Sequence, residues 1–275
     1  MSHVVSVIGS YSTPFGRWPD RSFQDLTRDA CIGALADAGL EGGAPIDTVW
    51  FANSGMGAWG QTSIRGQVAL ASLMREGIVP PHVPVINIEN ACASGSTALH
   101  GAWTEILSGQ AHVSLVVGVE KLHFPGVERA KVLEGFCAGI DNLDRDGWLE
   151  ECGRLARECG TQFEYATGRS PFVDLSAMRA RWHMQRYGLT QRQIGLVAEK
   201  SHWYGARNPK ACYRFEIPLD RVLADRLVSD PLTRAMCAAP GDGAAAILLA
   251  SSAFVRTLSA SVRNRAVTIT GSALS

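Results

Sequence analysis

The sequence has little charge. Asp, Glu, Lys and Arg together make up 19% of its 275 residues, and the 26 basic side chains balance the 26 acidic ones. Lysine is scarce, confined to Lys121, Lys131, Lys200 and Lys210. With zero net charge and no basic stripe, the chain carries no electrostatic footprint for nucleic acid or for an anionic membrane. No C-x-x-C occurs among the cysteines, which are Cys31, Cys92, Cys137, Cys152, Cys159, Cys212 and Cys237. An odd number at wide spacing argues against a disulfide framework and a zinc knuckle, and a reducing cytosol fits better. No run reaches the length of a transmembrane helix; the longest apolar stretch, 244–255, is interrupted by serines. The first residues, MSHVVSVIGSYSTPFGRW, lack a basic n-region and an apolar h-region, so they read as a first strand and not as a signal peptide.

What is present is a hydrophobic share of 46%, enough for a sizeable core in one large domain or two ordinary ones. Short apolar, β-branched runs at 4–9, 48–52, 85–89 and 113–119 predict strands. Between them, apolar spacing predicts helices after Ser22, near 65–76 and over 94–108, the first opened by the capping box Ser22-x-x-Asp25 and closed by Gly39. Strands alternating with helices predict an α/β fold with a largely parallel sheet. The texture changes after Lys121. Residues 125–175 have weak periodicity, helical patterns return at 176–187 and 190–204, and a buried strand resumes at 244–250. Residues 122–230 therefore read as an insertion between two strands of one sheet.

The most informative segment is Pro84-VINIENACASGSTALHGAW, in which a buried strand turns sharply into an apolar helix with Cys92 at the elbow. Such elbows project a nucleophile over a sheet edge. The helix N-terminus favours a thiolate, and its unpaired backbone N–H groups can hold an oxyanion. A buried structural thiol is the plainer alternative. A nucleophilic cysteine needs a base. His100 lies about two turns along the same helix, too far up the axis, while His183 and His202 sit in the insertion. A competing signal is Gly55-x-Gly57-x-x-Gly60, between a strand and a helix, as in a dinucleotide-binding turn of an oxidoreductase. It falls on the second strand, and the acid that follows, Glu89, is 29 residues past Gly60 instead of about 20. Asn142-Leu-Asp144-Arg-Asp146-Gly147 looks like half of a calcium loop, but its twelfth position is Gly153, so it reads as a chance match. Gly241-Asp-Gly before the last buried strand reads as close backbone packing.

Taken together, Thr13-PFGRWPDRSFQDL, Asn90-ACASGSTAL, Val116-VGVEKL, His183-MQRYGLTQRQI, Lys200-SHWYGARNP and Cys237-AAPGDGAAAILLAS resemble the thiolase superfamily, above all thiolases of the sterol-carrier-protein-2 type and their bacterial relatives. The segments occur in the family's order over nearly the whole chain. The resemblance implies an α/β fold: a βαβαβαββ half over 1–121 and 231–260, a loop domain inserted at 122–230, and at 261–275 the start of the second half of a five-layer structure. It implies an acyltransferase acting on acyl-coenzyme A thioesters, with Cys92 as the acyl-accepting nucleophile. His183 and Met184 fall in a substrate-side stretch. No cofactor is implied beyond the coenzyme A thioester as substrate. The implied assembly is a homodimer or higher oligomer in the cytoplasm, with an OB-fold acyl-coenzyme A-binding protein as a possible partner and neither nucleic acid nor membrane. The family draws its activating histidine from a G-H-P segment of the second half; no G-H-P and no H-D/E-x-F occurs here. The expectation is an isolated chain that is inactive or incomplete, or else one non-catalytic or split subunit of a thiolase-like or aldolase complex.

Overall fold

The computed structural model describes residues 4–136, 139–166 and 169–274. Contacts divide the chain into two compact units, one reaching to Phe124 and resuming at Gly241, the other running from Pro125 to Pro240.

The first unit is built from β1 (Val5–Ser12), α1 (Phe23–Asp37), β2 (Thr48–Ala52), α2 (Arg65–Arg75), β3 (Val85–Ile88), α3 (Ser94–Leu107) and β4 (Val113–Glu120). After the second unit come a strand at Gly243–Ser251, two short helices and a last strand at Val267–Ile269. The order is βαβαβαββ, in an α/β fold. Ser22 and Asp25 form the reciprocal capping box that starts α1, and Gly39, at φ +66°, ends it. Leu26, Ala30, Cys31, Ala34 and Leu35 give α1 one fully buried face. β1 approaches that face so closely that a Cβ at Gly9 would stand 2.4 Å from the Ala34 carbonyl oxygen.

The second unit holds α4 (Arg129–Phe136), α5 (Arg145–Glu158), α6 (Pro171–Tyr187), α7 (Gln191–Arg207), α8 (Leu219–Ala224) and a two-stranded ribbon, β5 (Leu227–Ser229) with β6 (Leu232–Thr233). The strand at Gly243–Ser251 is therefore β7, the short helices are α9 (Ser252–Val255) and α10 (Ala260–Arg265), and the last strand is β8. α7 opens on the Thr190/Gln193 capping box. α5 was not expected from the sequence, although Trp148, Leu149, Cys152, Leu155 and Ala156 recur along it at helical spacing. Asp174, fully buried on α6, accepts from Arg169 Nε (2.8 Å), Arg169 Nη2 (2.5 Å) and the Ser229 hydroxyl (2.5 Å), tying α6 to β5.

Strand order in the main sheet is β3-β2-β4-β7-β1-β8. Only β2 with β3 and β2 with β4 pair in parallel; β7 runs antiparallel to both β4 and β1, and β8 antiparallel to β1. The sheet is thus mixed, not largely parallel. β1 to β4 share one direction, but β7, reached through residues 125–240 and not through a single crossover helix, enters the middle of the sheet from the opposite end. Alternation along β4 sends Val113, Leu115, Val117 and Val119 to the face covered by α1 and α2, and Val116 to the face covered by α3. Val5, Ala52 and Leu249 join Val116 there, against Ala98, Ala102 and Ile106 of α3. Residues 261–274 belong to the first unit, with β8 as the edge strand beside β1. Among the described residues no helix is long and apolar enough to cross a membrane.

Asp242, at the start of β7, is completely buried. One carboxylate oxygen accepts from the N–H groups of Leu122 (2.7 Å) and His123 (3.0 Å) and meets His123 Nδ1 at 3.0 Å; the other accepts from the Trp18 N–H (2.8 Å). Lys121, also buried, lies 3.8 Å away and donates to the carbonyls of Trp18 and His123. Burial alone would raise the Asp242 pKa, but the N–H donors and the His123 ring outweigh it and hold the group below the usual carboxylate value. Burial lowers the Lys121 pKa, partly offset by Asp242 and Asp20. Because the folded-state pKa of Asp242 is depressed, its contribution to stability is fully present above the unfolded value of about 3.9 and is lost as the pH falls through the folded value. Asp242→Ala, which strands Lys121 and three N–H groups, is expected to cost about 3–5 kcal/mol. In denaturant melts its stability should also fall less between pH 5 and pH 3 than that of the unmutated chain; parallel losses would contradict the assignment.

Candidate active site

β3 ends at Ile88, and within five residues the chain has reversed into α3. Ala91 takes φ +44°, one of only two positive values among the described non-glycine residues, the other being Ile64. A left-handed residue just before Cys92 is what turns the chain sharply enough to lift that side chain clear of the sheet edge. Three bonds brace the turn. The Asn90 N–H donates to Ser94 Oγ (2.8 Å), the Ser94 hydroxyl donates to the Ala91 carbonyl (2.7 Å), and the Ala93 N–H donates to the Asn90 carbonyl (2.8 Å). Ser94 is buried, whereas Cys92 and its neighbours 89–93 are exposed. The Cys92 thiol has no hydrogen-bond partner among the described residues, and no acceptor there meets the N–H of Cys92, Gly95 or Ser96. Cys92 therefore lies two residues before a 14-residue helix, at whose positive end three N–H groups are open among the described residues.

Two carboxylates flank the elbow. Glu89 Oε1 accepts from the Ala91 N–H (2.7 Å) and from the Ser54 hydroxyl (3.1 Å). Glu120, at the end of β4, accepts from the N–H groups of Ser54 (2.5 Å) and Gly55 (3.0 Å). Burial raises the Glu120 pKa, opposed by those two N–H donors and by the charge of Arg65. The glycine-rich segment is a 3₁₀ turn over Gly55–Trp59, closed by Gly60 at φ +96°. Its leading N–H groups are already taken: Ser54 and Gly55 bond to Glu120, and Met56 bonds to Asn53 Oδ1 (2.9 Å). A dinucleotide turn needs such groups open to a pyrophosphate. Here a carboxylate occupies that place, so the oxidoreductase reading loses its cradle.

The histidines divide by setting. His100 Nδ1 meets Ser272 Oγ at 2.9 Å, two turns up α3 as expected. His202 is buried in the second unit, with Nδ1 3.3 Å from the Phe215 carbonyl and its ring against Tyr213 and Phe215, a satisfied core histidine. His183 is exposed on α6, its ring 5.0 Å from Trp182 and 5.4 Å from Tyr187, and Met184 beside it is half-buried. The calcium-like aspartates are used locally. Asp144 caps α5 by accepting from the Gly147 N–H, and Asp141 accepts from Leu143 and Asp144. Sequence reasoning missed Asp242, whose mark is an aspartate between two glycines at the head of a buried strand. It also missed the links of Glu89 and Glu120 to Ser54, for which no local signal exists.

Among the described cysteines none is paired. Cys137 lies outside the described residues. Burial pushes the Cys31 thiol up to about 12 and also raises Cys152 and Cys237.

The family model that describes the thiolase N-terminal domain matches residues 5–144. The chain is 31% identical over 247 residues to an acetyl-CoA acetyltransferase of Methanothermobacter thermautotrophicus, covering 89% of this chain and 56% of that protein. It is 30% identical over 257 residues to sterol carrier protein 2 of Oryctolagus cuniculus, covering 92% and 42%. The chain thus spans about half the length of the curated relatives it matches. Its fold is similar to a solved Ltp2-ChsH2(DUF35) aldolase, with TM-score 0.66 and 23% identity, covering 93% of this chain and 58% of that one.

Exposure and the open helix end single out Cys92 for alkylation. Iodoacetamide at neutral pH, followed by peptide mapping, is expected to label Cys92 first and Cys31 last. Prior labelling of any other cysteine would contradict the activated elbow.

Proposed function

The chain belongs to the thiolase family, and from that premise we propose that it accepts an acyl group from a coenzyme A thioester onto Cys92. The observation that carries this reading is the elbow itself: an exposed thiol with no partner among the described residues, set just before a helix whose Gly95 and Ser96 N–H groups are open. The Cys92 thiolate attacks the thioester carbonyl carbon and a new carbon–sulfur bond forms. The tetrahedral oxyanion is held by backbone donors, the Cys92 N–H among them. Collapse breaks the bond to coenzyme A, which leaves as a thiolate and takes up the proton that Cys92 gave up. The acyl group then passes either to free coenzyme A or to the carbanion of a second thioester. His183 and Met184 are assigned to the substrate side, on likeness of sequence alone. The substrate is its own carrier, so no further cofactor enters the scheme, and a homo-oligomer in the reducing cytosol is the setting that fits free thiols.

The base for Cys92 and the group that would ionise a second substrate are assigned to residues beyond these 275. A second reading follows from the aldolase neighbour, whose description names two components. In it the present chain works as one subunit, and a partner chain supplies the missing groups.

Incubating the chain with acetyl-coenzyme A and mapping the product by mass spectrometry is expected to show slow acetylation of Cys92. The acetyl group should be released by hydroxylamine and absent in Cys92→Ala, with no steady-state cleavage of acetoacetyl-coenzyme A. Sustained turnover by the chain alone would show that no outside group is needed, and acetylation unchanged in Cys92→Ala would remove the nucleophile.

A further inference from the structure

We infer that Glu89 is a positioning residue for Cys92, acting through the Ala91 peptide and anchored by Ser54 to the glycine-rich turn. The inference rests on the reading of Cys92 as the acyl acceptor. It begins from two features that reading leaves unused: the left-handed Ala91 and the 3₁₀ turn at Gly55–Trp59.

A non-glycine residue at φ +44° is held there by its surroundings, since the conformation is unfavourable by itself. The bonds from Ser94 and Ala93 fix the carbonyl side of the turn. The Ala91 N–H points the other way and finds Glu89 Oε1 at 2.7 Å. That same oxygen accepts the Ser54 hydroxyl at 3.1 Å, so one atom joins the elbow to the loop after β2. The loop is itself fixed from below. The Glu120 carboxylate takes the Ser54 and Gly55 N–H groups, and a Cβ at Gly55 would lie 2.6 Å from Glu120 Oε2. Arg65 Nη1 donates to the Asn53 carbonyl (2.6 Å), and Asn53 Nδ2 donates to the Val119 carbonyl (2.6 Å). A continuous path therefore runs from the ends of β2 and β4 through Ser54 and Glu89 to the peptide preceding the nucleophile.

The geometry assigns Glu89 a task that its charge opposes. A carboxylate next to a thiol disfavours the thiolate, whereas an acceptor that keeps Ala91 left-handed keeps Cys92 at the helix N-terminus, which favours it. What the site needs at 89 is a hydrogen-bond acceptor at the right reach, and the negative charge is incidental. Glu89→Gln keeps an oxygen at that reach without the charge. Glu89→Asp keeps the charge one methylene short. Glu89→Ala removes both.

The test measures the pH dependence of Cys92 alkylation by iodoacetamide in the unmutated chain and in Glu89→Gln, Glu89→Asp, Glu89→Ala and Ser54→Ala, together with hydrogen exchange at the Ala91 amide. Thermal melts confirm that each variant is folded, which the exposure of both positions favours. Glu89→Ala and Glu89→Asp are expected to slow labelling at neutral pH by about threefold to tenfold, move the profile to higher pH and speed Ala91 exchange. Ser54→Ala should do the same more weakly, and Glu89→Gln should stay within about twofold of the unmutated chain. Profiles ordered by charge, with Gln and Ala both faster and Asp unchanged, would overturn the inference, as would identical profiles throughout. If unmutated Cys92 reacts no faster than the half-exposed Cys159 and Cys212, the nucleophile reading itself fails and the positioning role falls with it. Normal Cys92 reactivity with no effect of the variants counts against Glu89 alone.

Discussion

The first unit depends on one buried carboxylate. Asp242 stands where the chain re-enters the sheet, and its two oxygens gather donors from Trp18, Leu122 and His123. These belong to the loop after β1 and to the end of β4. The two strands that flank β7 are thereby fastened to it at one end, which is also where residues 125–240 leave and return. Hydrophobic burial would be satisfied by several registers of a strand as small and uniform as GAAAILLAS, because alanines fit almost anywhere. A charged group that must find three N–H donors and a lysine has one acceptable position. The apolar core supplies the bulk of the stabilisation and Asp242 supplies the alignment.

The site is organised by the same means. Parallel strands β2, β3 and β4 end together, and each end carries a polar residue: Asn53, Glu89 and Glu120. Their side chains close on the backbone of neighbouring segments and on the Ser54 hydroxyl, not on one another. Cys92 is left as the exposed group that points outward without a partner. Binding energy invested in the rim keeps the donors of α3 aligned before any substrate arrives, which is the condition for electrostatic stabilisation of an oxyanion. The occupied N–H groups of the glycine-rich turn are part of that rim.

Most of this was legible where the signal is local. The strands β1, β2, β3 and β4 and the helices α1 and α3 follow from periodicity. Both capping boxes, Ser22/Asp25 and Thr190/Gln193, form as their spacing requires. The elbow at 89–94 follows from an apolar strand meeting an apolar helix with small residues between. What stayed hidden depends on pairs far apart in sequence. The direction of β7 is set by its neighbours, β4 and β1. The bond between Glu89 and Ser54 joins positions 35 residues apart. α5 escaped because its apolar residues, Trp148, Leu149, Cys152, Leu155 and Ala156, are set among many charged ones in a stretch rich in Gly, Glu, Asp and Arg. Gly55-x-Gly57-x-x-Gly60 misled for the opposite reason, since its spacing is local while its meaning depends on whether Glu120 is there to fill it.

The place of β7 between β4 and β1 also orders events in time. Thr13 bonds to Ala244 across 231 residues, and both partners of β1, which are β7 and β8, lie equally far along the sequence. During synthesis β1 has neither of its sheet partners until residues 243–269 have been made. The unit α1-β2-α2-β3-α3-β4 can assemble by local βαβ steps, whereas β1 can be captured only once β7 and β8 are present. An exposed apolar strand with two open edges is the form of a nascent chain most prone to pair with the wrong neighbour. The long separation between β1 and its partners makes this strand the part of the sheet with the highest contact order.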